Sequence, residues 1–309
     1  MSYLIGLDVG GTFVKGAIFK DGAPAYECDI PTVTGEGLVG CLEELVEKLV
    51  QGCGAVFSEI DGVGVGCPGL IDSKKGTVVF AANLRLENYP LGTLLKKKLG
   101  LPVKVCNDAN AAALGEARFG AGKKFSDSVL ITLGTGVGGG IVICGKLFEG
   151  NKSAGAEIGH MVIERGGAPC TCGRRGCFEA YCSARALTEK TREAMEDDTS
   201  SQMWKTYGYD TADGRTAFEY MDVDRSARKV ADWYLRNLAC GVANLANIFR
   251  PQVIMIGGGV SAQGSRLIDP LKELFNAELF GGTDYAPVEI RCAELGNRAG
   301  SYGAAALFM

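Results

Sequence analysis

The sequence predicts an α/β protein built as two similar halves. Apolar periodicity alternates between strand and helix along the chain, and each half opens on a strand–glycine turn–strand hairpin. The two hairpins lie about 125 residues apart, which reads as a weak internal duplication. At 309 residues the chain is long enough for two domains of ordinary size. Its composition, 47% hydrophobic and 22% charged, is that of a globular protein.

The elements follow in order. The first hairpin is "LIGLDVGGTFVKGAIF", Leu4 to Phe19, where Val14, Gly16 and Ile18 alternate with Lys15 and Ala17. "LVGCLEELVEKLVQG" has helical spacing at Leu38, Cys41, Leu42, Leu45, Val46 and Leu49, and Gly52 is expected to end that helix. "VKVCNDANAAALGEARFG" reads as a strand over Val103 to Cys106, then a helix from about Asp108 to Phe119. The second hairpin is "VLITLGTGVGGGIVI", Val129 to Ile143. The uncharged stretch around it, Ser128 to Gly145, lacks flanking anchors and is read as two buried strands rather than a membrane span. Glu193 to Ser201 is expected to be a surface excursion. A long amphipathic helix over "ARKVADWYLRNLACGVANLANIF" stops before Pro251. A third glycine loop, "VIMIGGGVS" from Val253, precedes a helical pattern over Ser265 to Leu279.

Net charge is −4, and no basic run exceeds Lys96-Lys97-Lys98, so neither nucleic acid nor a membrane surface is an expected partner. The chain has twelve cysteines. "MSYLIGLDVGG" shows no cationic n-region and no cleavage pattern, so a cytoplasmic location with reduced thiols is expected. Glycine, at 45 residues, is roughly twice its ~7% average usage. Either the chain has many tight turns, or its backbone approaches a ligand closely.

Gly134, Gly136 and Gly139 satisfy G-x-G-x-x-G, but a strand follows rather than a helix, which excludes a dinucleotide fold. No G-x-x-x-x-G-K-[ST] occurs either. Glycine hairpins can still turn backbone N–H groups toward phosphate. Asp8 and Thr12 flank the first turn, and Thr132 and Thr135 the second. Two such turns facing each other could grip a polyphosphate, with Asp8 holding Mg²⁺ through water.

Asn107 and Asp108 sit where a strand ends and a helix begins, the edge at which open α/β sheets bind ligands. Asp108 is either an N-cap or a general base that accepts a hydroxyl proton during phosphoryl transfer.

The chain's one histidine, His160, is followed after nine residues by Cys170, Cys172 and Cys177. Four nitrogen and sulfur ligands suit a closed tetrahedral Zn²⁺ site, and such a metal would be structural. One ring nitrogen of His160 would be fixed and the other aimed outward. Glu157 and Glu179 flank this loop; either the group suits the hydroxyls of a polyhydroxy ligand, or the two glutamates are ordinary solvated surface.

Together these motifs resemble the ROK family of sugar kinases and sugar-responsive repressors. The resemblance runs through "LDVGGTFVKG", "GVGVGCPGLID", "NDANAAALGEARFGAG", "LGTGVGGGIV", "GAEIGHMVIERGGAPCTCGRRGCFEAY" and "IGGGVS". It implies the actin-like, ribonuclease H-like α/β fold, with two domains around an interdomain cleft. The expected domains are 1–118 plus 298–309, and 119–297 with the zinc loop and a dimer surface. The resemblance implies that Asp108 activates the 6-hydroxyl of a hexose. Gly69, Asn83, Asn107, Glu157, His160 and Glu179 then contact the sugar. Asp8, Gly10, Gly11, Thr12, Lys15, Thr135, Gly136, Gly257, Gly258 and Gly259 hold ATP and Mg²⁺. His160, Cys170, Cys172 and Cys177 match the family's zinc ligands, and a homodimer is expected. Many glucokinases of the family have tryptophan three residues after Asn83, where this chain has Leu86. That departure bears on which sugar is used. The first glycine loop begins at residue 4, which favours a kinase over a DNA-binding regulator. Glucokinase is the leading expectation. The alternatives are a kinase for N-acetylglucosamine, N-acetylmannosamine, mannose, allose or a β-glucoside, or a non-catalytic sugar sensor.

Overall fold

The structure, a computed structural model, describes residues 2–282 and 284–309. The chain divides into two compact units. One comprises Met1–Asp127, Gly140–Ala156 and Glu294–Met309; the other comprises Ser128–Gly139 and Glu157–Ala293.

In chain order the first elements are strands β1 (Tyr3–Val9), β2 (Phe13–Lys20) and β3 (Ala23–Pro31), then helix α1 (Leu38–Cys53) and β4 (Ile60–Cys67). The short strands β5 (Leu70–Asp72), β6 (Thr77–Ala81) and β7 (Leu86–Tyr89) form a small antiparallel sheet. Helix α2 (Leu91–Leu99), strand β8 (Val103–Asn107) and helix α3 (Asp108–Phe119) follow. The main sheet has the order β3-β2-β1-β4-β8, antiparallel through β1 and parallel from β1 to β8.

Helix α1 buries Leu38, Cys41, Leu42, Leu45, Val46 and Leu49 in one core with Ile5, Leu7 and Val9 of β1. This is the apolar stripe that the sequence spacing predicts. The helix does not stop at Gly52. It runs to Cys53 and ends on Gly54, whose φ of 68° is left-handed. Gly52 is small for another reason: a side chain there would overlap the ring of Tyr26.

A second sheet has the order β11-β10-β9-β12-β13. Its strands and the helices between them are β9 (Ser128–Leu133), β10 (Val137–Ile143), β11 (Lys146–Phe148), α4 (Glu179–Cys182), α5 (Ala184–Asp197), α6 (Thr216–Tyr220), α7 (Arg225–Phe249), β12 (Val253–Gly257), α8 (Ser265–Glu278) and β13 (Glu289–Cys292). Asp224 caps α7 by accepting the N–H of Ala227 at 2.8 Å, and Arg250, at φ 43°, ends it before Pro251. The segment Glu193 to Ser201 is largely exposed, but it is helical to Asp197 and tied down at two points. Helix α5 continues to Asp197 with Met195 fully buried, and Ser201 donates to Asp224 at 2.9 Å.

The last helix, α9 (Ala299–Ala306), packs within the first unit against α3, β1 and β4. Most of its residues are buried. Side chains at Gly6 or Gly64 would overlap the carbonyls of Ser301 and Ala304, and one at Gly303 would overlap the carbonyl of Ala111. Part of the glycine excess thus serves backbone-to-backbone packing, a use separate from both turns and ligand approach. Beside this contact Phe19, Phe119 and Tyr302 stack with ring centroids 4.9–5.7 Å apart.

Candidate active site

In the first unit two carboxylates converge. Asp8 stands near the end of β1, paired across the hairpin with Lys15, and Asp108 begins α3. They flank Gly66 of β4: a Cβ there would lie 3.7 Å from both Asp8 Oδ1 and Asp108 Cα. The bland alternative for Asp108 fails, because Asn107 is the N-cap. Its Oδ1 accepts the N–H groups of Ala109 at 2.9 Å and Asn110 at 3.2 Å. Asp108 lies one residue further on, with Oδ1 accepting the N–H of Ala109 at 2.9 Å.

Burial raises the pKa of Asp108 above the usual carboxylate value, and hydrogen bonds from Ala109 and its neighbours pull it back. Asp8 is raised further, to about 6, by burial and then by the charge of Asp108, while Lys15 opposes. The carboxylate of Asp8 is accommodated by Gly300 of α9, where a side chain would collide with it. A buried carboxylate of this kind can accept a proton, and two side by side favour a nearby cation.

Asn107 Nδ2 donates to the carbonyl of Gly69 at 3.2 Å, which brings those two expected sugar contacts together. Gly69 has φ 101° and no room for a side chain against Phe80 and Ala81. Asn83 is exposed in the turn before β7, and Leu86 is buried. In the first glycine turn the N–H of Gly10 is donated to Phe13 at 3.0 Å, and Thr32 Oγ1 donates to the carbonyl of Gly10 at 2.8 Å. Gly11 and Thr12 are exposed there, and Lys15 is half-buried.

In the second unit the residues from His160 to Cys177 fold into a compact knot. Ile163 donates to Gly176 at 2.8 Å, Cys170 to Arg174 at 2.9 Å and Phe178 to Met161 at 2.7 Å. Gly173 and Gly176 take φ of 86° and 81°, which a side chain would disfavour. A ring nitrogen of His160 and the sulfurs of Cys170, Cys172 and Cys177 all lie within 4.8 Å of one another. The Cys170 sulfur is 3.7 Å from His160 Nδ1, and the Cys172 and Cys177 sulfurs are 3.7 Å apart. Ligands about 2.3 Å from a tetrahedral zinc are separated by roughly 3.8 Å, so the donor set fits that ion. The Arg174 N–H holds the Cys172 thiol below its ordinary pKa, whereas burial pushes Cys177 up to about 12. The three sulfurs would all bind as thiolates only with a cation among them, which is the charge Zn²⁺ would supply.

Glu179 joins this knot to the second glycine turn. Its Oε2 accepts the N–H of Val137 at 3.1 Å, and its Oε1 accepts the hydroxyl of Thr171 at 3.0 Å. A side chain at Gly136 would collide with that carboxylate. Glu157 is exposed at the start of the turn Ile158–His160. Thr135 is exposed at the tip of the second glycine turn, where the N–H of Gly134 is donated to Gly136 at 3.0 Å. The third loop adjoins it: Gly258, at φ 82°, leaves no space for a side chain against Leu133, while Gly257 is buried and Gly259 exposed.

Sequence reasoning missed Glu116 and Gly300. Glu116 is fully buried on α3, and its carboxylate accepts the N–H groups of Ala121, Glu294 and Leu295 at 2.7–3.1 Å. It anchors the strand-end that leads into α9. A buried-face position for a glutamate on the α3 pattern was the available signal.

The ROK family profile matches residues 4–309. A glucokinase of Streptomyces coelicolor is 37% identical over 99% of this chain and 98% of its own length. A xylose repressor of Caldicellulosiruptor bescii is 32% identical over 98% of this chain and 77% of its own. The crystal structure of a ROK family glucokinase from Streptomyces griseus, in complex with glucose and AMPPNP, superposes with a TM-score of 0.80 at 35% identity, covering 99% of both chains. The architecture is thus the two-domain, actin-like α/β fold of the ROK sugar kinases. With a match that runs from β1 through α9, the chain belongs to the ROK family.

Proposed function

We infer that this protein is an ATP-dependent glucokinase, transferring the γ-phosphoryl group of ATP to the 6-hydroxyl of glucose. The observation that carries the reading is Asp108: a carboxylate held at the start of α3, with its pKa raised by burial. Asp108 accepts the proton of the attacking hydroxyl, and its first-turn N–H bond fixes the direction in which the carboxylate points. Likeness to glucokinases and to a structure holding glucose and AMPPNP supports the choice of substrates.

Asn107, Gly69, Asn83, Glu157, His160 and Glu179 position the sugar in this reading. With His160 Nδ1 turned toward Cys170, Nε2 is left to meet a hydroxyl. The glycine turns and Lys15 hold the nucleotide phosphates. Mg²⁺ supplies charge neutralisation on the phosphates when bound, and Asp8 would hold it through water. Zn²⁺ at His160, Cys170, Cys172 and Cys177 would stiffen the sugar side. No helix among the described residues is long and apolar enough to cross a membrane. We place the protein in the cytoplasm, as a homodimer.

Leu86 favours testing a second reading, a kinase for another hexose, since it stands where many family glucokinases have tryptophan. An assay coupled to ADP release over a sugar panel decides. Glucose is expected to give the highest kcat/KM. A different preferred sugar would move the substrate, and binding without turnover on every sugar would leave a sensor.

A further inference from the structure

The tip of the first glycine turn carries a glycine that nothing in the protein itself requires. At Gly10 a Cβ would meet the carbonyl of Phe13 at 2.7 Å, so the tight turn explains that residue. Gly11 differs. Its φ is not left-handed, and a Cβ there would meet no atom of the described chain within 4 Å beyond its own neighbours in sequence. Neither turn geometry nor packing calls for a glycine at this exposed position, which leaves close approach of a ligand to bare backbone as its use.

The donors at this tip are available. Among the described residues, neither the N–H of Gly11 nor that of Thr12 meets an acceptor. Two carbonyls of the tip, by contrast, are taken, and both by one residue. Thr32 Oγ1 donates to the carbonyl of Gly10 at 2.8 Å, and the N–H of Thr32 donates to the carbonyl of Thr12 at 2.9 Å. A trans peptide group is planar, with its C=O and N–H pointing in opposite directions. The carbonyl of Gly10 and the N–H of Gly11 belong to one such plane. Holding that carbonyl on Thr32 therefore turns the Gly11 N–H away from Thr32.

Thr32 is held from elsewhere than the turn. Strand β3 pairs Pro31 with Phe13 and Ile30 with Val14, and the Cys41 thiol of α1 donates to the carbonyl of Pro31 at 3.5 Å. Ile30 and Cys41 are both buried, so the residue that follows β3 is fixed by the core.

We propose that Thr32 is a positioning residue for the nucleotide: its hydroxyl sets the peptide plane between Gly10 and Gly11 so that the Gly11 N–H faces a phosphate oxygen. That the phosphate belongs to ATP rests on the glucokinase reading. The orientation of the plane rests on the bonds to Thr32.

The test compares Thr32→Val with Thr32→Ser. Valine keeps the shape and removes the hydroxyl, serine keeps the hydroxyl, and both keep the backbone bond to Thr12. The readouts are the KM for MgATP and for glucose, with calorimetric titration of a non-hydrolysable ATP analogue in the presence of Mg²⁺. In Thr32→Val the KM for MgATP and the dissociation constant of the analogue are expected to rise roughly three- to tenfold, the range that one neutral hydrogen bond spans. The KM for glucose should not move, and Thr32→Ser should restore the wild-type values. Thr32→Ala also lacks the hydroxyl; it should reproduce the valine result, and it serves if the valine variant does not fold. Wild-type nucleotide affinity in the folded variants without the hydroxyl, a serine variant as weak as valine, or an equal rise in the KM for glucose would each overturn the assignment while leaving the kinase reading in place. A wild-type protein that neither phosphorylates a sugar nor binds the analogue would remove the kinase reading, and the nucleotide role of Thr32 with it.

Discussion

The Glu179 carboxylate receives the backbone N–H of Val137 at 3.1 Å from the second glycine turn, while its other oxygen receives Thr171 from the cysteine loop. One side chain thus fixes a strand end against the knot that positions His160. An ionised carboxylate offers about four lone-pair directions, so these bonds leave acceptor capacity for a sugar hydroxyl. Glu179→Gln replaces one acceptor oxygen with a donor that must face either Val137 or Thr171. The KM for glucose should rise roughly tenfold or more, the worth of one charge-assisted hydrogen bond. Zinc content should stay unchanged. Steady-state kinetics and metal analysis on one preparation check both.

The cysteine knot should carry one zinc per chain. Cys170, Cys177 and their neighbours are held mainly by short backbone bonds across two left-handed glycines, so the loop has little apolar core of its own. Removal of zinc by a chelator, or Cys172→Ser, should loosen it and raise the KM for glucose more than it lowers kcat. Metal content by atomic absorption, followed by kinetics before and after zinc is restored, is the measurement. An unchanged KM in metal-free protein would remove the clamp from the account.

Asp8 gives a pH signature. Its pKa in the folded protein is about 6, against 3.8 ordinarily, so the fold favours its protonated form. Folded protein therefore binds more protons than unfolded between those values, and the contribution to stability falls as pH rises through that window. Above pH 6 the buried charge costs about 3 kcal/mol in the ligand-free protein. Asp8→Asn should raise the Tm of ligand-free protein at pH 7.5, and the gain should vanish below pH 4. The same variant should weaken MgATP use, because the charge that destabilises the empty site is the one that attracts the cation. Thermal unfolding at both pH values checks the first half and the KM for MgATP the second.

Much of this was readable from residue order because it is local. The alternation around the first turn, the stripe on α1 and the short spacing from Cys170 to Cys177 each lie within one or two elements. The position of Asp108 was legible as the end of a strand and the start of a helix, although the cap proved to be Asn107. What escaped depends on approach between distant segments. Gly303 is small because α9 touches the backbone of α3 at Ala111, and Glu116 is buried because Glu294 and Leu295 bring it their N–H groups. Gly52 was misread for the same reason, since its neighbour Tyr26 lies on β3. Glu193 to Ser201 lies at the surface as its polar residues suggest, but Asp198 and Asp224 collect the hydroxyls of Ser226 and Ser201 and hold the segment in place.

The central claim is that Asp108 takes the proton from the sugar hydroxyl, and Asp108→Asn tests it with little change of shape. The asparagine keeps an oxygen for the N–H of Ala109 but is no longer a base. Turnover should fall by roughly 10²–10⁴-fold, while the glucose dissociation constant, measured by calorimetry, should stay within about threefold, less than 1 kcal/mol. A variant that phosphorylates glucose at close to the wild-type rate would contradict the account at its root.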